Sequence, residues 1–297
     1  MSQSPIISPS ELFARFGAPE IRIVDVRWVL GSPGRGRGAH EADHLPGAIF
    51  LDMDGDLTAT DGPGRHPLPS PVAFRERLEA VGIGSEHEVV AYDDVGGWVA
   101  ARLWWMLDDL GHDRVAVLDG GYPAWVAEGF PVTEAVPAFS PGHLDLGDAW
   151  TNTMDRDEVI DRLGEIVLLD ARGGPRYRGE TEPIDPVPGH IPTAISAPTD
   201  GNLGPDGRLL DGAALAARFR ALGADGPTGS GPVVTSCGSG VSACLNSLAM
   251  RVAGLRDPIL YPGSFSDWSR AGLPVAVGAE PGGVPAALVR TRTRSAR

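Results

Sequence analysis

Residues 21–27 read IRIVDVR, and residues 166–172 read IVLLDAR. Each stretch is a short apolar run that ends in Asp-x-Arg. Such a run is typical of a strand buried inside a parallel sheet. The aspartates of the two stretches, Asp25 and Asp170, stand 145 positions apart.

Three further pairs of similar blocks follow in the same order. They are DHLPGAIF (43–50) with GHIPTAIS (189–196), VVAYDDVGGWVAARLWWML (89–107) with VVTSCGSGVSACLNSLAM (233–250), and LDGGYPAWVAEGFPV (118–132) with LYPGSFSDWSRAGLPV (260–275). The separation of matched residues stays between 143 and 146 positions in all four pairs. A coincidental likeness would not keep four blocks in register, so the chain contains a duplication of a unit of somewhat over ~120 residues.

Each copy alternates strands with helices. Apolar residues spaced three and four apart predict a helix over 97–109, and alternation of this kind predicts an α/β fold in which helices cover both faces of a parallel sheet. We expect two such domains, 1–135 and 149–277, joined by a linker over 136–148 that contains Pro and Gly. The tail over 278–297 is expected to lie across the surface or to be disordered.

Composition excludes several classes of function. The formal net charge of −14 disfavours binding to nucleic acid. All 25 basic residues are arginine, which rules out lysine chemistry. The two cysteines, Cys237 and Cys244, form no disulfide framework and have no histidine ligands beside them, so no metal is expected. Without a membrane-length apolar run or a signal-peptide pattern, we expect a cytoplasmic protein, and by default a monomer.

The block around Cys237 is the candidate for chemistry. The run over 233–235 predicts the end of a strand, Gly238 and Gly240 permit a tight turn, and a helix is expected to follow. A cysteine in such a loop meets backbone N–H groups and the positive end of a helix, which stabilise a thiolate. The alternative is a buried, inert cysteine. For Cys244, within the predicted helix, the inert role is the better interpretation.

The paired Asp-x-Arg, His-(Ile/Leu)-Pro and Gly-x-x-x-Trp blocks resemble the tandem rhodanese superfamily of sulfurtransferases over roughly residues 8–276. The resemblance implies a first domain that has lost its catalytic cysteine, with Asp93 in its place, and an active site in the cleft between the domains. It implies no cofactor. The neutral loop Cys237–Ser242 (CGSGVS) is similar to the mercaptopyruvate type rather than to the thiosulfate type, whose loop carries two cations.

The resemblance also implies residues that bind the substrate. Arg176 matches the arginine that grips the carboxylate of the donor, for which a guanidinium fork is well suited. A second arginine of the family would fall at Asp185, and Arg178 or Arg65 could take its place. Loop residues are expected to complete the site: Gly238, Gly240, Val241 and Ser242.

By position, Asp54, His66 and Ser239 match an Asp–His–Ser relay in which the histidine moves a proton and the carboxylate orients it. The alternatives are a loop histidine with no role and an aspartate that caps a turn.

The implied reaction takes sulfur from 3-mercaptopyruvate onto Cys237 as a persulfide and passes it to a thiol or to cyanide, with thioredoxin among the candidate acceptors. Three other functions agree with parts of this sequence. One is a thiosulfate:cyanide sulfurtransferase with broad donor use. Another is a cysteine phosphatase, which would need arginine where Ala243 stands. The last is a non-enzymatic binding module or sulfur-relay scaffold.

Overall fold

The two Asp-x-Arg stretches form interior strands of two parallel sheets in the computed structural model, which describes residues 4–224 and 231–289. The strands of the two sheets are, in chain order, β1 (Ile6–Ile7), β2 (Ile21–Asp25), β3 (Ile49–Phe50), β4 (Glu88–Tyr92), β5 (Val115–Leu118), β6 (Val167–Asp170), β7 (Ile195–Ser196), β8 (Val233–Ser236) and β9 (Ile259–Leu260). The first sheet has the order β1-β5-β4-β2-β3, and the second has the order β7-β6-β8-β9. All pairs of neighbouring strands are parallel.

Five helices accompany each sheet within the described ranges. Those of the first domain are α1 (Pro9–Ala14), α2 (Arg35–Ala42), α3 (Pro71–Ala80), α4 (Ala100–Asp109) and α5 (Gly121–Ala127). Those of the second are α6 (Arg156–Arg162), α7 (Gly174–Tyr177), α8 (Gly212–Ala221), α9 (Ala243–Val252) and α10 (Ser264–Arg270), with short 3-10 helices at Thr199–Asn202 and Ala286–Leu288. The predicted helix over 97–109 is present and begins at Ala100.

Both faces of each sheet are buried. Along β4, Val89 and Ala91 pack on the side of α3 and α4, whereas Val90 and Tyr92 pack on the side of α1 and α5. Successive residues of a strand point to opposite faces, so a strand covered on both sides is apolar throughout. The predicted α/β fold, with two parallel sheets each covered on both faces, is confirmed.

One hydrophobic cluster contains buried residues of both domains and forms a shared core between them. Leu103 and Leu107 of α4 belong to the same buried cluster as Leu245 and Leu248 of α9. The cysteine loop begins one residue beyond β8 and is therefore built at this shared surface. Parallel sheets place ligand sites at the carboxyl ends of their strands, and here that end faces the other domain.

Repeated tryptophans and ion pairs hold equivalent places in the two copies. The Nε1–H groups of Trp125 and Trp268 donate to the carbonyls of Pro131 and Pro274, each at 2.8 Å. Both rings are fully buried and serve as packing residues. Arg172 forms a buried ion pair with Asp170 at 2.6 Å, as Arg27 does with Asp25 at 2.7 Å.

The predicted linker lies along the first domain. Leu144 is buried in the shared core, and its N–H donates to Oε1 of Glu79 at 2.8 Å. In the predicted tail, Leu288 packs on the core of the second domain, and the N–H of Thr193 donates to the carbonyl of Pro281. Residues 290–297 of that tail lie outside the described residues, and the domain boundaries stay predictions. Across 4–224 and 231–289, no helix is both long and apolar enough to cross a membrane.

Candidate active site

The loop after β8 wraps its backbone around the sulfur of Cys237. The N–H groups of Ser239 and Gly240 point at Sγ, at 3.4 and 3.1 Å. Gly240 has φ +76°, and a Cβ there would lie 2.4 Å from the carbonyl oxygen of Pro262, so the loop requires glycine. Two N–H dipoles aimed at the sulfur favour a negative charge on it. Val241 packs in the shared core, and Ser242 precedes the first residue of α9.

A second turn, over residues 261–266, holds the cysteine loop from behind. The N–H of Cys237 donates to Oγ of Ser264 at 3.0 Å, and the N–H of Phe265 donates to the carbonyl of Cys237. Ser264 has φ +53°, a left-handed conformation that costs a serine free energy. The first domain has Gly121 at the matching position, with φ +57°. The strained serine thus supplies a hydroxyl that the glycine copy lacks.

Cys244 takes no part in this cradle. It is fully buried in α9, and burial raises the pKa of its thiol to about 12. Its Sγ donates to the carbonyl of Gly240 at 3.4 Å. A thiol that stays protonated is a poor nucleophile, which agrees with the core role predicted for Cys244.

Asp54, His66 and Ser239 lie together in the cleft between the domains. Nδ1 of His66 is 2.7 Å from Oγ of Ser239, and Nε2 is 3.5 Å from Oδ1 of Asp54. The turn at this point is capped by Asp52, whose Oδ1 accepts the N–H groups of Asp54 and Gly55 at 2.9 Å. The carboxylate of Asp54 is therefore left to face His66 and to accept the Nε1–H of Trp28 at 2.8 Å.

The surroundings of His66 keep its ring uncharged. Burial lowers the pKa of His66 to about 3, and the nearby cations Arg65, Arg102 and Arg270 act in the same direction. The edge of the Trp28 ring packs against the imidazole, with ring centres 5.3 Å apart. A neutral imidazole can accept a hydrogen bond from the Ser239 hydroxyl at Nδ1 while its Nε2–H group faces Asp54.

Arg102, which the sequence analysis did not single out, lies beneath the loop. Its side chain is fully buried in α4, and it donates to the carbonyls of Gly240 at 3.0 Å and His66 at 3.2 Å. Its Nε atom is buried without a partner in the described ranges. One guanidinium from the first domain therefore ties the cysteine loop to the histidine segment. In the sequence, a single charged residue within the apolar stretch AARLWWML could have indicated a buried functional arginine.

Arg176 and Arg178 point in different directions. Arg176, on α7, pairs with Glu182 at 2.8 Å and Asp185 at 3.0 Å, and its Nη1 lies over Gly238 of the loop. Arg178 forms a surface pair with Glu180 at 2.6 Å. Arg178 is the C-cap residue at which α7 ends, and its pair with Glu180 directs its side chain to the surface. The placement gives no support to a substrate-binding role for Arg178.

Asp185 stands where the second arginine was expected, and it binds two arginines. Its carboxylate meets Nη1 of Arg65 at 2.7 Å and Nη2 of Arg176 at 3.0 Å. Its side chain is inaccessible to solvent, whereas those of Arg65 and Arg176 are 16% and 21% exposed. An arginine from the first domain is thereby brought to the cysteine loop of the second.

Comparison with known proteins identifies the architecture. A family model described as a rhodanese-like domain matches residues 8–128 and again residues 155–271. The chain belongs to the rhodanese family.

Several relatives cover most of this rhodanese. A "Probable 3-mercaptopyruvate sulfurtransferase" of Pseudomonas aeruginosa is 42% identical over 274 residues, which cover 90% of this chain and 96% of that protein. A thiosulfate sulfurtransferase of Rattus norvegicus is 32% identical over 86% of this chain and 87% of its own. The solved 3-mercaptopyruvate sulfurtransferase from Leishmania major superposes with a TM-score of 0.79 at 31% identity, covering 90% of this chain and 74% of that one. This rhodanese is an enzyme of the sulfurtransferase class.

The first rhodanese domain carries a carboxylate where the second carries its sulfur. Asp93 is fully buried, and its two oxygens accept the N–H groups of Val95, Gly97, Val99 and Ala100 at 2.8–3.0 Å. Burial raises the pKa of this carboxyl, while the four N–H groups oppose the rise. The loop of the first copy thus encloses a carboxyl group of its own.

No group of three or more His, Cys, Asp or Glu side chains within 4–224 and 231–289 is arranged to hold a metal ion.

Proposed function

We propose that this chain transfers sulfur from 3-mercaptopyruvate to a thiol or to cyanide, through a persulfide on Cys237. The observation that carries the proposal is the junction of the neutral cysteine loop with the Asp54–His66–Ser239 group. The cradle around Sγ is suited to a thiolate, and the adjacent hydroxyl and imidazole can handle a proton.

The first half-reaction balances without any added oxidant. The Cys237 thiolate attacks the sulfur of the donor, an S–S bond forms, and the C–S bond breaks. Its electron pair goes to the enolate of pyruvate, and the proton of the donor's thiol ends on the methyl carbon of pyruvate. Ser239 is placed to hand on that proton through its hydroxyl, while the neutral His66 holds this hydroxyl at Nδ1 and Asp54 orients the ring.

The second half-reaction restores the enzyme. A thiolate or cyanide attacks the outer sulfur of the persulfide, the S–S bond breaks, and the electron pair returns to Cys237. The N–H groups of Ser239 and Gly240 point at Sγ and are therefore placed to stabilise the Cys237 thiolate that this step releases. Thioredoxin as acceptor, cytoplasmic location and a monomeric state stay predictions.

Thiosulfate is the second candidate donor. Arg65 and Arg176 lie beside Gly238 and bring positive charge to a loop that has none in its own sequence. A dianion would be attracted to these cations, and the rat relative is named for thiosulfate. Sulfite leaves without needing a proton, so the His66 relay gives no advantage with this donor.

The test is steady-state kcat/KM with 3-mercaptopyruvate and with thiosulfate, using cyanide as acceptor. We expect a preference for mercaptopyruvate, loss of turnover in Cys237→Ser, and retained turnover in the matched variant Cys244→Ala. Wild-type protein treated with donor alone should gain the mass of one sulfur atom on Cys237. A preference for thiosulfate would refute the assigned donor, and no turnover with either donor would refute the whole reaction.

A further inference from the structure

Two guanidinium groups from different domains meet over Gly238, the residue that follows Cys237. A Cβ placed on Gly238 would lie 2.9 Å from Nη2 of Arg65 and 3.6 Å from Nη1 of Arg176. The missing side chain leaves room for both groups beside the nucleophile.

Asp185 holds the two arginines by their other nitrogens. Its Oδ1 binds Nη1 of Arg65, and its Oδ2 binds Nη2 of Arg176. Glu182 takes the remaining edge of Arg176 through Nε and Nη2. Within the described residues, Nη2 of Arg65 and Nη1 of Arg176 make no hydrogen bond, and Nε of Arg65 is buried without a partner. N–H donors of both arginines thus remain available on the side of the loop.

The backbone fixes Arg65 in this place. Its own N–H donates to Oγ of Ser266 at 3.0 Å. The preceding Gly64 has φ +84°, and a Cβ there would lie 2.6 Å from the carbonyl oxygen of Gly263. Residues 64–66 are therefore docked on the turn that supports Cys237, and the position of Arg65 does not depend on Asp185 alone.

We propose that Arg65 is the second carboxylate-binding arginine of the site, and that Asp185 positions it together with Arg176. The inference rests on the proposed use of 3-mercaptopyruvate. Two N–H donors from separate guanidiniums match the two oxygens of a carboxylate. Arg65 and His66 are consecutive, so one segment of the first domain binds the carboxylate of the donor and holds the relay at its carbonyl.

The experiment compares Arg65→Gln, Arg65→Lys, Asp185→Asn and the double variant R65Q/D185N. R65Q removes the charged hydrogen bond to the carboxylate of the donor. We therefore expect it to raise KM for mercaptopyruvate by roughly 10- to 100-fold, with kcat and the KM for cyanide changed by only a few-fold. R65K keeps the charge without the fork and should fall between R65Q and the wild type.

Asp185→Asn should raise the same KM by roughly 3- to 10-fold, and by a smaller factor in the R65Q background, where only its contact with Arg176 is left to lose. The matched control is Arg208→Gln, which removes another pair between the domains, Arg208 with Glu128 at 2.6 Å. It should leave KM unchanged. A wild-type KM in R65Q, or an equal loss in R208Q, would overturn the proposal.

Pyruvate separates this inference from the proposed function. It carries the carboxylate but no transferable sulfur, so its inhibition constant against whichever donor is turned over tests the arginines directly. We expect R65Q to weaken inhibition by pyruvate at least roughly 10-fold. If the wild type prefers thiosulfate, the donor assignment fails while the pyruvate result still decides the role of Arg65. If mercaptopyruvate is preferred and pyruvate inhibits R65Q and wild type equally, only the arginine proposal fails.

Discussion

Nδ1 of His66 lies 2.7 Å from Oγ of Ser239, although the two residues belong to different domains and stand 173 positions apart. The hydrogen bond joins the segment that carries Arg65 to the loop that carries Cys237. The proposed proton transfer therefore depends on contact between the two copies of the fold.

We predict that His66→Asn affects one donor more than the other. The enolate must gain a proton to become pyruvate, so kcat with mercaptopyruvate should fall about 100-fold. Sulfite leaves unprotonated, so any turnover of thiosulfate should change less than about 10-fold. The control is His143→Asn, because the side chain of His143 is 92% exposed. Equal losses with both donors would argue that His66 only supports the loop.

The same histidine should make stability depend on pH. In the unfolded chain His66 takes up a proton near pH 6.5, whereas in the folded chain its pKa is about 3. Between these values the unfolded state binds more protons, so the free energy of unfolding should fall as pH decreases, by up to about 1.4 kcal/mol per pH unit from this residue. Denaturant unfolding from pH 7 to pH 4 should therefore show a shallower decline in His66→Asn. Parallel curves would contradict the neutral, buried state of His66.

Asp93→Asn should destabilise the first domain. An amide has one oxygen to accept the four N–H groups, and its NH₂ group would face donors, so we expect a loss of roughly 2–3 kcal/mol. Asp94→Asn is the matched control, since Asp94 is the exposed neighbour. Urea unfolding of both variants measures the difference. A stable D93N protein would show that the carboxylate charge is not needed to close this loop.

Ser264→Gly should separate stability from turnover. Glycine relieves the left-handed strain, which largely offsets the loss of the two hydrogen bonds that the hydroxyl makes with Cys237 and Tyr261, so the free energy of unfolding should change by less than about 1 kcal/mol. The N–H of Cys237 loses its acceptor, so kcat/KM should drop roughly 10-fold with both donors. Ser264→Ala keeps the strain and should be both less stable and less active. Full activity in S264G would show that the hydroxyl does not position Cys237.

The fold was predictable because its signals are local and occur twice. Apolar runs ending in Asp-x-Arg predicted the strands, and the spacing of the blocks predicted the duplication. The relay residues Asp54, His66 and Ser239 were selected by family resemblance, and the structure brings them together, while their roles stay proposals.

Contacts between distant residues could not be predicted in the same way. The Arg65–Asp185 pair joins positions 120 apart, and neither residue carries a local pattern that names the other. Arg178 is one of the residues predicted to bind the substrate. Sequence spacing does not show which side of a one-turn helix faces the loop, so the surface pair of Arg178 with Glu180 could not be predicted. Ser264 could not be recognised, since a serine held at positive φ has no sequence signature.

The buried carboxyl group of Asp93 limits how much sulfur one chain can carry. The side chain of Asp93 fills the loop of the first domain and is part of the chain, so an incoming anion cannot bind there. Because the first loop holds a carboxyl group where the second holds a thiol, the chain should be loaded with one equivalent of sulfur and no more. In the proposed reaction the second domain carries the sulfur, and the first domain contributes Arg65, His66 and Asp54 to the site.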